Sequence, residues 1–276
     1  MVIQDLKMVL ARNKDLANKD FVRNLLKEEL QVFVLNFVYT SSYRNLIFTG
    51  GTCLRKFYGL PRISEDLDFD IDGKSFDFVE FQNDLEEYFV KDLQCKEFTL
   101  KHKNQTVFLK FPVLKEIGFS GQSDTNILFL RLDFAFNKSK NFGVENQLFS
   151  AYDFSFLAKT YDFPTLFANK ISAFLTREYK RGGTQATSFK GRDAFDLVWM
   201  LGEAKKTGVR VNLKRTGDLT GIADNNKLRE AILRKAEKVG VQDLRSDLGA
   251  FFKDLDFVDN FCKNFQNMLG ANIGYL

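Results

Sequence analysis

The chain has 276 residues with a formal net charge of +4, and 45% of its residues are hydrophobic and 28% charged. This is the composition of a soluble globular protein with one large domain or two ordinary ones. A single histidine and three widely spaced cysteines argue against a histidine-rich zinc site, a C-x-x-C metal site and a disulfide framework. Any bound metal should therefore be held by carboxylates, which favours Mg²⁺ or Mn²⁺. Free thiols indicate a reducing cytoplasm. The most apolar stretches are too short to span a bilayer, so no membrane partner is expected.

Hydrophobic periodicity predicts the elements of the first half of the chain. Helical spacing predicts a helix over residues 18–39, with Asn18 or Asp20 as its cap. The apolar run 46–48 predicts a short strand that ends in Thr49-Gly50-Gly51, and a short helix over 52–58 should follow it. Further predicted elements are a strand over 66–72, a helix over 75–90, and strands over 97–100, 106–111 and 126–136.

After Pro164 the pattern becomes helical throughout. Helices are predicted over 164–180, 192–204 and 225–239, and two or three shorter ones follow from residue 241 to the end. No strand pattern occurs among them. The sequence therefore predicts an α/β (α+β) part with a mixed sheet over residues 1–160, including the N-terminal helices, and a C-terminal helical bundle domain over residues 161–276. The two parts should join near residues 152–164.

The most informative stretch is residues 48–70, FTGGTCLRKFYGLPRISEDLDFD. Gly50 and Gly51 lack a Cβ, so their backbone amides can approach phosphate oxygens, and the helix from Thr52 directs its free N–H groups to the same place. Asp66 and Asp68 lie two apart on a strand, so both carboxylates point to one face and can share metal ions. Asp133 lies on a second alternating strand and is a candidate third ligand.

Three other interpretations apply to these carboxylates. Asp68-x-Asp70-x-Asp72-Gly73 opens like a calcium-binding EF-hand loop, but the position that needs a glutamate is Val79. Gly73-Lys74-Ser75 resembles the end of a Walker A loop, but the required first glycine is Asp68. The third alternative is a plain edge strand with a solvated acidic face.

A second constellation lies in the helical half. Lys170, Ala173 and Arg177 lie near one face of a predicted helix, where a lysine can meet triphosphate oxygens as a point charge. Asp193 falls in the first turn of the next helix, where the helix dipole favours a carboxylate. Without further information, Lys170 is equally well explained as a solvated lysine and Asp193 as a helix cap.

The order of these motifs resembles the AbiEii/AbiGii toxin family, nucleotidyltransferase-like proteins of the DNA polymerase β type. The resemblance spans roughly residues 48–197 and is carried by the following motifs: Gly50-Gly51-Thr52-x-Leu54-Arg55, Arg62-x-Ser64-x-Asp66-Leu67-Asp68-Phe69, Lys170-x-x-Ala173-x-x-x-Arg177 and Arg192-Asp193-x-x-Asp196-Leu197. No family motif follows Trp199. The resemblance implies a nucleotidyltransferase domain over residues 1–160.

The resemblance also implies a reaction and a set of site residues. A nucleoside monophosphate would pass from an NTP to an acceptor hydroxyl, with the tRNA 3′ end as the leading acceptor, in the toxin of a toxin–antitoxin or abortive-infection system with an antitoxin encoded nearby. Mg²⁺ or Mn²⁺ would be held by carboxylates at Asp66, Asp68 and Asp133. The expected catalytic residues are Asp66, Asp68, Lys170 and Asp193, and the residues expected to bind the NTP phosphates are Gly50, Gly51, Thr52, Arg62 and Ser64.

Two basic regions are candidates for holding the acceptor. One surrounds the glycine-rich segment 181–191 and offers Lys180, Arg181, Lys190 and Arg192. The other, residues 205–238, has ten Lys or Arg against four Asp or Glu. Both could bind an RNA backbone or be ordinary solvated surface. Transfer to a small molecule such as an antibiotic, transfer to a protein side chain, and non-catalytic NTP binding remain alternative functions.

Overall fold

The computed structural model describes residues 1–95, 97–119, 125–151, 153–177, 179–181, 185–187 and 190–276, with only the backbone for 179–181 and 185–187. The chain forms two compact units. The first comprises Met1–Asn137 and Glu145–Thr160, and the second comprises Lys138–Val144 and Tyr161–Leu276.

Among its described residues, the first unit has four α-helices and a seven-stranded mixed sheet. The helices are α1 (Val2–Arg12), α2 (Lys19–Thr40), α3 (Gly50–Tyr58) and α4 (Phe78–Glu87), the last continuing as a π-turn over Tyr88–Asp92. The strands are β1 (Ile47–Thr49), β2 (Leu67–Ile71), β3 (Thr99–Lys103), β4 (Thr106–Phe111), β5 (Leu128–Phe136), β6 (Val144–Ala151) and β7 (Phe154–Tyr161). Their order across the sheet is β3-β4-β5-β2-β1-β7-β6.

The strand β2 lies in the middle of this sheet. It pairs in parallel with β5 and antiparallel with β1. Leu67, Phe69 and Ile71 are buried while the intervening aspartates are half-buried, so the predicted alternation is confirmed. The edge-strand alternative is wrong, because both sides of β2 are paired. The EF-hand alternative is also wrong, because the regular strand β2 occupies the first positions, 68–71, where an EF-hand has a loop.

Phenylalanine supplies much of the core of this unit, as the composition indicates. The rings of Phe48, Phe69 and Phe134 follow one another across β1, β2 and β5, with centroids 5.4 and 5.6 Å apart. Helix α2 packs against the sheet and begins where predicted, since the Asn18 side chain accepts a hydrogen bond from the Phe21 N–H at 3.1 Å. The predicted residue periodicity and cap therefore agree with the structure at this helix.

Several sequence predictions need correction in the first unit. Helix α3 begins at Gly50 and not at Thr52, so both glycines belong to its first turn. The segment expected to join the two halves contains β7, which pairs with β1, and β6 precedes it. These strands were missed because exposed Leu148 and Leu157 interrupt the inward–outward alternation.

The second unit contains six helices within the part of the chain that the structure describes. They are α5 (Phe163–Thr176), α6 (Gly191–Thr207), α7 (Leu213–Thr220), α8 (Asn225–Ala236), α9 (Val241–Leu248) and α10 (Leu255–Asn272). Asp162 caps α5 by accepting from the Thr165 N–H at 2.9 Å, and Pro164 lies in its first turn. Helix α6 packs against α5, α9 and α10.

Three elements of the second unit were not predicted. Strands β8 (Tyr179–Arg181) and β9 (Gln185–Thr187) pair antiparallel, although no strand pattern was expected here. Three residues are too few to produce a readable alternation. Helix α7 was also missed, since its two apolar residues and Gly217 give it weak helical signals.

Candidate functional site

Three carboxylates lie along one side of the paired strands β2 and β5. Asp68 and Asp133 are directly opposed in the parallel register, and Asp66 immediately precedes β2. All three side chains are half-buried, and those of Asp66 and Asp133 are 21% and 33% exposed. The structure therefore brings together the three predicted metal ligands, on neighbouring strands of one sheet.

The guanidinium of Arg131 bridges two of these carboxylates. Its Nη2 lies 2.6 Å from Oδ2 of Asp66, and its Nε lies 3.0 Å from Oδ2 of Asp133. Burial disfavours the charged form of Arg131, but the neighbouring Asp66, Asp133 and Asp68 outweigh it and raise its pKa above the ordinary value. Arg131 is two residues before Asp133 on β5, so strand alternation places both on the same face.

Two threonines hold the carboxylate-bearing backbone and side chains. Thr106 Oγ1 on β4 donates to Oδ1 of Asp133 at 2.8 Å. Thr52, which is fully buried in α3, donates its hydroxyl to the backbone carbonyl of Asp66. These bonds anchor Asp133 from the neighbouring strand β4 and the backbone of Asp66 from helix α3.

The two glycines of α3 lie against this carboxylate face. Gly50 adopts φ +79°, and a Cβ there would overlap the Asp68 carboxylate. A Cβ on Gly51 would lie 2.5 Å from Arg62 Nη2 and 3.1 Å from Ser64 Oγ. Position 50 requires glycine because its positive φ adds to this overlap, whereas a side chain at position 51 would have to displace the end of Arg62.

Arg62 and Ser64 are buried next to Gly51 of α3. Arg62 is only 2% exposed, and its Nη1 donates to the carbonyl of Ile63 at 2.9 Å. Ser64 is 6% exposed, and its carbonyl accepts from Gln31 Nε2 at 2.8 Å. The guanidinium of Arg62 therefore lies beside the first turn of α3 and is almost wholly shielded from solvent.

The donor set of this face suits a hard divalent cation. Carboxylate oxygens are the ligands that Mg²⁺ and Mn²⁺ prefer. In the described part of the chain, no group of three or more His, Cys, Asp and Glu side chains converges tightly enough to hold one ion. Here a cationic guanidinium instead joins Asp66 and Asp133. The residues fit a divalent ion in two respects. Their oxygen donors suit it, and two of the carboxylates already contact a cation, the Arg131 guanidinium.

The second constellation is a buried charge cluster on α5 and α6. Lys170 Nζ lies 2.6 Å from Oδ2 of Asp196 and 3.6 Å from Oδ1 of Asp193. The side chain of Lys170 is 12% exposed, that of Asp193 4%, and that of Asp196 is fully buried. Lys170 is therefore not a solvated surface lysine, and that alternative is wrong.

Arg177 completes this cluster at the end of α5. Its Nη1 donates to Oδ2 of Asp193 at 2.7 Å, and 43% of its side chain is exposed. Asp193 lies in the first turn of α6 as predicted, but the residue before the helix is Lys190, whose side chain makes no capping bond. Asp193 thus pairs with side chains of α5 and does not serve as the N-cap.

The residues proposed to hold the acceptor have mixed surroundings. The side chains of Lys180 and Arg181 lie outside the described residues. Lys190 is half-buried at the start of α6. Arg192 already has partners within its own unit. Its backbone N–H donates to Asp247 Oδ2 at 3.0 Å, and its guanidinium carbon lies 4.3 Å from the centroid of the Phe251 ring.

Sequence reasoning assigned no role to Arg131, Thr106 or Asp196. The alternation of β5 signals that Arg131 shares the face of Asp133, and this signal was available. Thr106 could not be found, because its contact depends on the register between β4 and β5. Asp196 lies one helical turn after Asp193, so helical spacing could have indicated a shared partner.

Two further observations bear on the setting of these residues. Cys53, Cys95 and Cys262 are buried free thiols. Among the residues that the structure describes, no helix is both long enough and apolar enough to cross a bilayer.

Comparison with known proteins identifies the family. The model of the AbiEii nucleotidyl transferase toxin of type IV toxin–antitoxin systems matches residues 37–274. No curated protein matches the chain. Two solved structures from Helicobacter pylori, JHP933 and a putative nucleotidyltransferase, each share 16% identity with it at a TM-score of 0.46. The alignments cover 91% of this chain and 93% and 96% of those chains, respectively. The matched residues include both the carboxylate face and the buried charge cluster on α5 and α6. The chain belongs to the AbiEii family of nucleotidyl transferase toxins.

Proposed function

We propose that this protein transfers a nucleoside monophosphate from an NTP to an acceptor hydroxyl and releases pyrophosphate. The observation that carries the proposal is the register of β2 and β5, which opposes Asp68 and Asp133 beside Asp66 and the glycines of α3. Such a face can hold a divalent ion that would offset the charge of a triphosphate next to backbone N–H groups. Family membership supports the reaction type.

Asp66, Asp68 and Asp133 are the proposed ligands of Mg²⁺ or Mn²⁺. When bound, the ion would polarise phosphoryl oxygens and offset their charge. The chain's own contribution is to hold the carboxylate-bearing residues in position before an ion binds. Thr106 orients Asp133, and the Thr52 hydroxyl holds the carbonyl of Asp66.

The first turn of α3 is the proposed binding site for the triphosphate. Its initial N–H groups have no partner within the helix, and the positive end of the helix dipole favours phosphate. Gly50, Gly51 and Thr52 form this turn. Ser64 and Arg62 lie against Gly51, where the arginine adds a buried positive charge behind the turn.

Lys170 and Asp193 are the proposed catalytic residues of α5 and α6. Lys170 would offset negative charge on the triphosphate as it develops in the transition state. Asp193 would orient Lys170 or assist removal of the acceptor proton. The orienting role is supported by the buried contacts of Lys170 with Asp196 at 2.6 Å and Asp193 at 3.6 Å, which restrict the ammonium group to one region.

The proposed acceptor is the 3′ end of tRNA, and the proposed setting is a toxin working in the cytoplasm beside an antitoxin encoded nearby. Support comes from the family and from the basic surroundings of Lys180, Arg181, Lys190 and Arg192 and of residues 205–238. We further propose that residues 1–160 form the nucleotidyltransferase domain and residues 161–276 a helical bundle domain.

The test is incubation of the full chain with each labelled NTP, Mg²⁺ and total tRNA. Label should enter tRNA with one NTP and should depend on the divalent ion. Asp68→Asn should abolish incorporation, whereas Asp72→Asn, at an exposed residue beyond β2, should leave it intact. Label in protein or in a small molecule would identify a different acceptor. Binding of NTP without any transfer would overturn the enzymatic proposal.

A further inference from the structure

Arg131 holds oxygens that the proposed metal site would need. Its guanidinium contacts Oδ2 of Asp66 at 2.6 Å and Oδ2 of Asp133 at 3.0 Å. The other oxygen of Asp133 accepts the Thr106 hydroxyl. Both oxygens of Asp133 are therefore engaged, and a metal ion that approaches this carboxylate meets a cation already in contact with it.

The Asp133 carboxylate and the Asp66 backbone are each anchored by a bond that does not involve the guanidinium. Asp133 keeps its bond to Thr106, and the backbone of Asp66 keeps its bond to Thr52, whether or not Arg131 is present. In contrast, 41% of the Arg131 side chain is exposed, and its buried Nε makes no hydrogen bond despite its proximity to Asp133. Its Nη2 donates to Asp66 at 2.6 Å, but an ion pair that solvent reaches adds only modestly to stability, so a competing ion can exchange with it.

Charge balance also favours an exchangeable cation. Asp66, Asp68 and Asp133 place three negative charges around one guanidinium. Without any cation these carboxylates would repel one another, which disfavours the folded arrangement. With a divalent ion bound, the guanidinium would lie next to a second positive charge and would be repelled in turn.

We propose that Arg131 is a built-in counter-cation of the carboxylate face. It pairs with Asp66 and Asp133 when no divalent ion is bound, and it is displaced when the ion binds. The affinity of the site for metal is then set by an exchange of two cations on anchored carboxylates. This inference rests on the proposed metal site and adds its regulation by a residue of the chain itself.

The experiment measures Mn²⁺ binding to the full chain, with free Mn²⁺ followed by electron paramagnetic resonance. Arg131→Gln should bind Mn²⁺ about tenfold more tightly than the wild type, since two weak ion pairs no longer compete. Arg131→Lys keeps a cation and should lie between them. Arg44→Gln, which removes the same charge from an exposed residue of the first unit, should bind like the wild type.

Thermal unfolding gives a second measurement that does not depend on activity. Without divalent ions, Arg131→Gln should unfold at a lower temperature than the wild type, because Asp66 and Asp133 have lost their ion pairs with Arg131. Saturating Mn²⁺ should close this gap. Arg44→Gln should show no gap that Mn²⁺ removes.

Asp68→Asn separates failure of this inference from failure of the proposed function. If Asp68→Asn loses Mn²⁺ binding but Arg131→Gln binds no more tightly than the wild type, the metal site stands and the counter-cation role is wrong. Unchanged Mn²⁺ binding with weaker NTP binding in Arg131→Gln would likewise overturn it. If neither the wild type nor any variant binds Mn²⁺, the proposed metal site is wrong and the inference falls with it.

Discussion

The carboxylate face of the first unit and the charge cluster of the second differ in charge balance and in burial. Around Arg131, three carboxylates face one half-exposed guanidinium. On α5 and α6, two buried carboxylates face Lys170 and Arg177. The carboxylates of the first group are partly exposed, so a divalent ion can approach them. The second compensates its own charge, so its members support one another's burial as well as any chemistry.

This difference predicts that substitutions in the two groups will have different costs. A half-exposed carboxylate of the first group can be replaced by its amide with little effect on the fold. The substitution leaves the buried apolar side of β2 unchanged. Lys170, a largely buried member of the second group, cannot be removed without breaking its ion pair with the fully buried Asp196, which costs about 3–5 kcal/mol. Four experiments can break or sharpen the contrast.

The largest expected effect is on catalysis at the carboxylate face. Asp68→Asn should lower the rate of transfer by roughly 10³-fold or more, which corresponds to ~4 kcal/mol of lost transition-state stabilisation. Its thermal midpoint should stay close to that of the wild type, because Leu67 and Phe69 remain buried. Labelled-NTP assays and circular dichroism melts measure the two quantities. Near wild-type transfer at saturating Mg²⁺ would refute the carboxylate mechanism.

The next effect combines catalysis and stability in the second unit. Lys170→Met should lower the transfer rate by roughly 10²-fold through lost stabilisation of phosphoryl charge. It should also reduce the free energy of unfolding by about 3–5 kcal/mol, because Asp196 loses its buried partner. Chemical denaturation and single-turnover transfer measure these losses.

The double variant Lys170→Met, Asp196→Leu serves as the matched control. Replacing a buried pair with apolar side chains is often neutral for stability, so the fold should recover while transfer does not. If activity recovered along with stability, Lys170 would be a structural residue only.

A smaller effect is expected for basic residues outside both groups. If the acceptor is RNA, replacing Lys180, Arg181 and Lys190 together should weaken binding and lower the slope of log affinity against log salt by about 0.7–0.9 for each lost phosphate contact. The dependence of the rate on NTP should not change, because phosphate contacts position the acceptor. Filter binding at several salt concentrations tests this, and affinity that is flat with salt would favour a protein or small-molecule acceptor.

The smallest effect concerns the exposed edge of the buried cluster. Arg177→Gln should cost only about 1 kcal/mol of stability, since 43% of the side chain is exposed and solvent screens its pair with Asp193. Denaturant titration beside Lys170→Met gives the comparison. A loss as large as that of Lys170→Met would show that the whole cluster acts as one buried unit.

The sequence alone determined the faces and ends of many elements. Period-two alternation identified β2 and β5 and placed Asp66 and Asp68 on the side opposite Leu67 and Phe69, because side-chain direction in a strand is a local property. Asn18 marked the start of α2 for the same reason, since a cap needs only its own backbone neighbours. The order of the motifs also predicted the family.

Only the tertiary structure decided which of these faces meet. That Asp68 lies opposite Asp133, and that Arg131 joins Asp133 to Asp66, depends on parallel pairing between strands more than 50 residues apart. The pair of Lys170 with Asp196 likewise depends on how α5 packs on α6. Periodicity specifies which way a side chain points but not the register of its partner, because register is selected by the burial of whole faces at once.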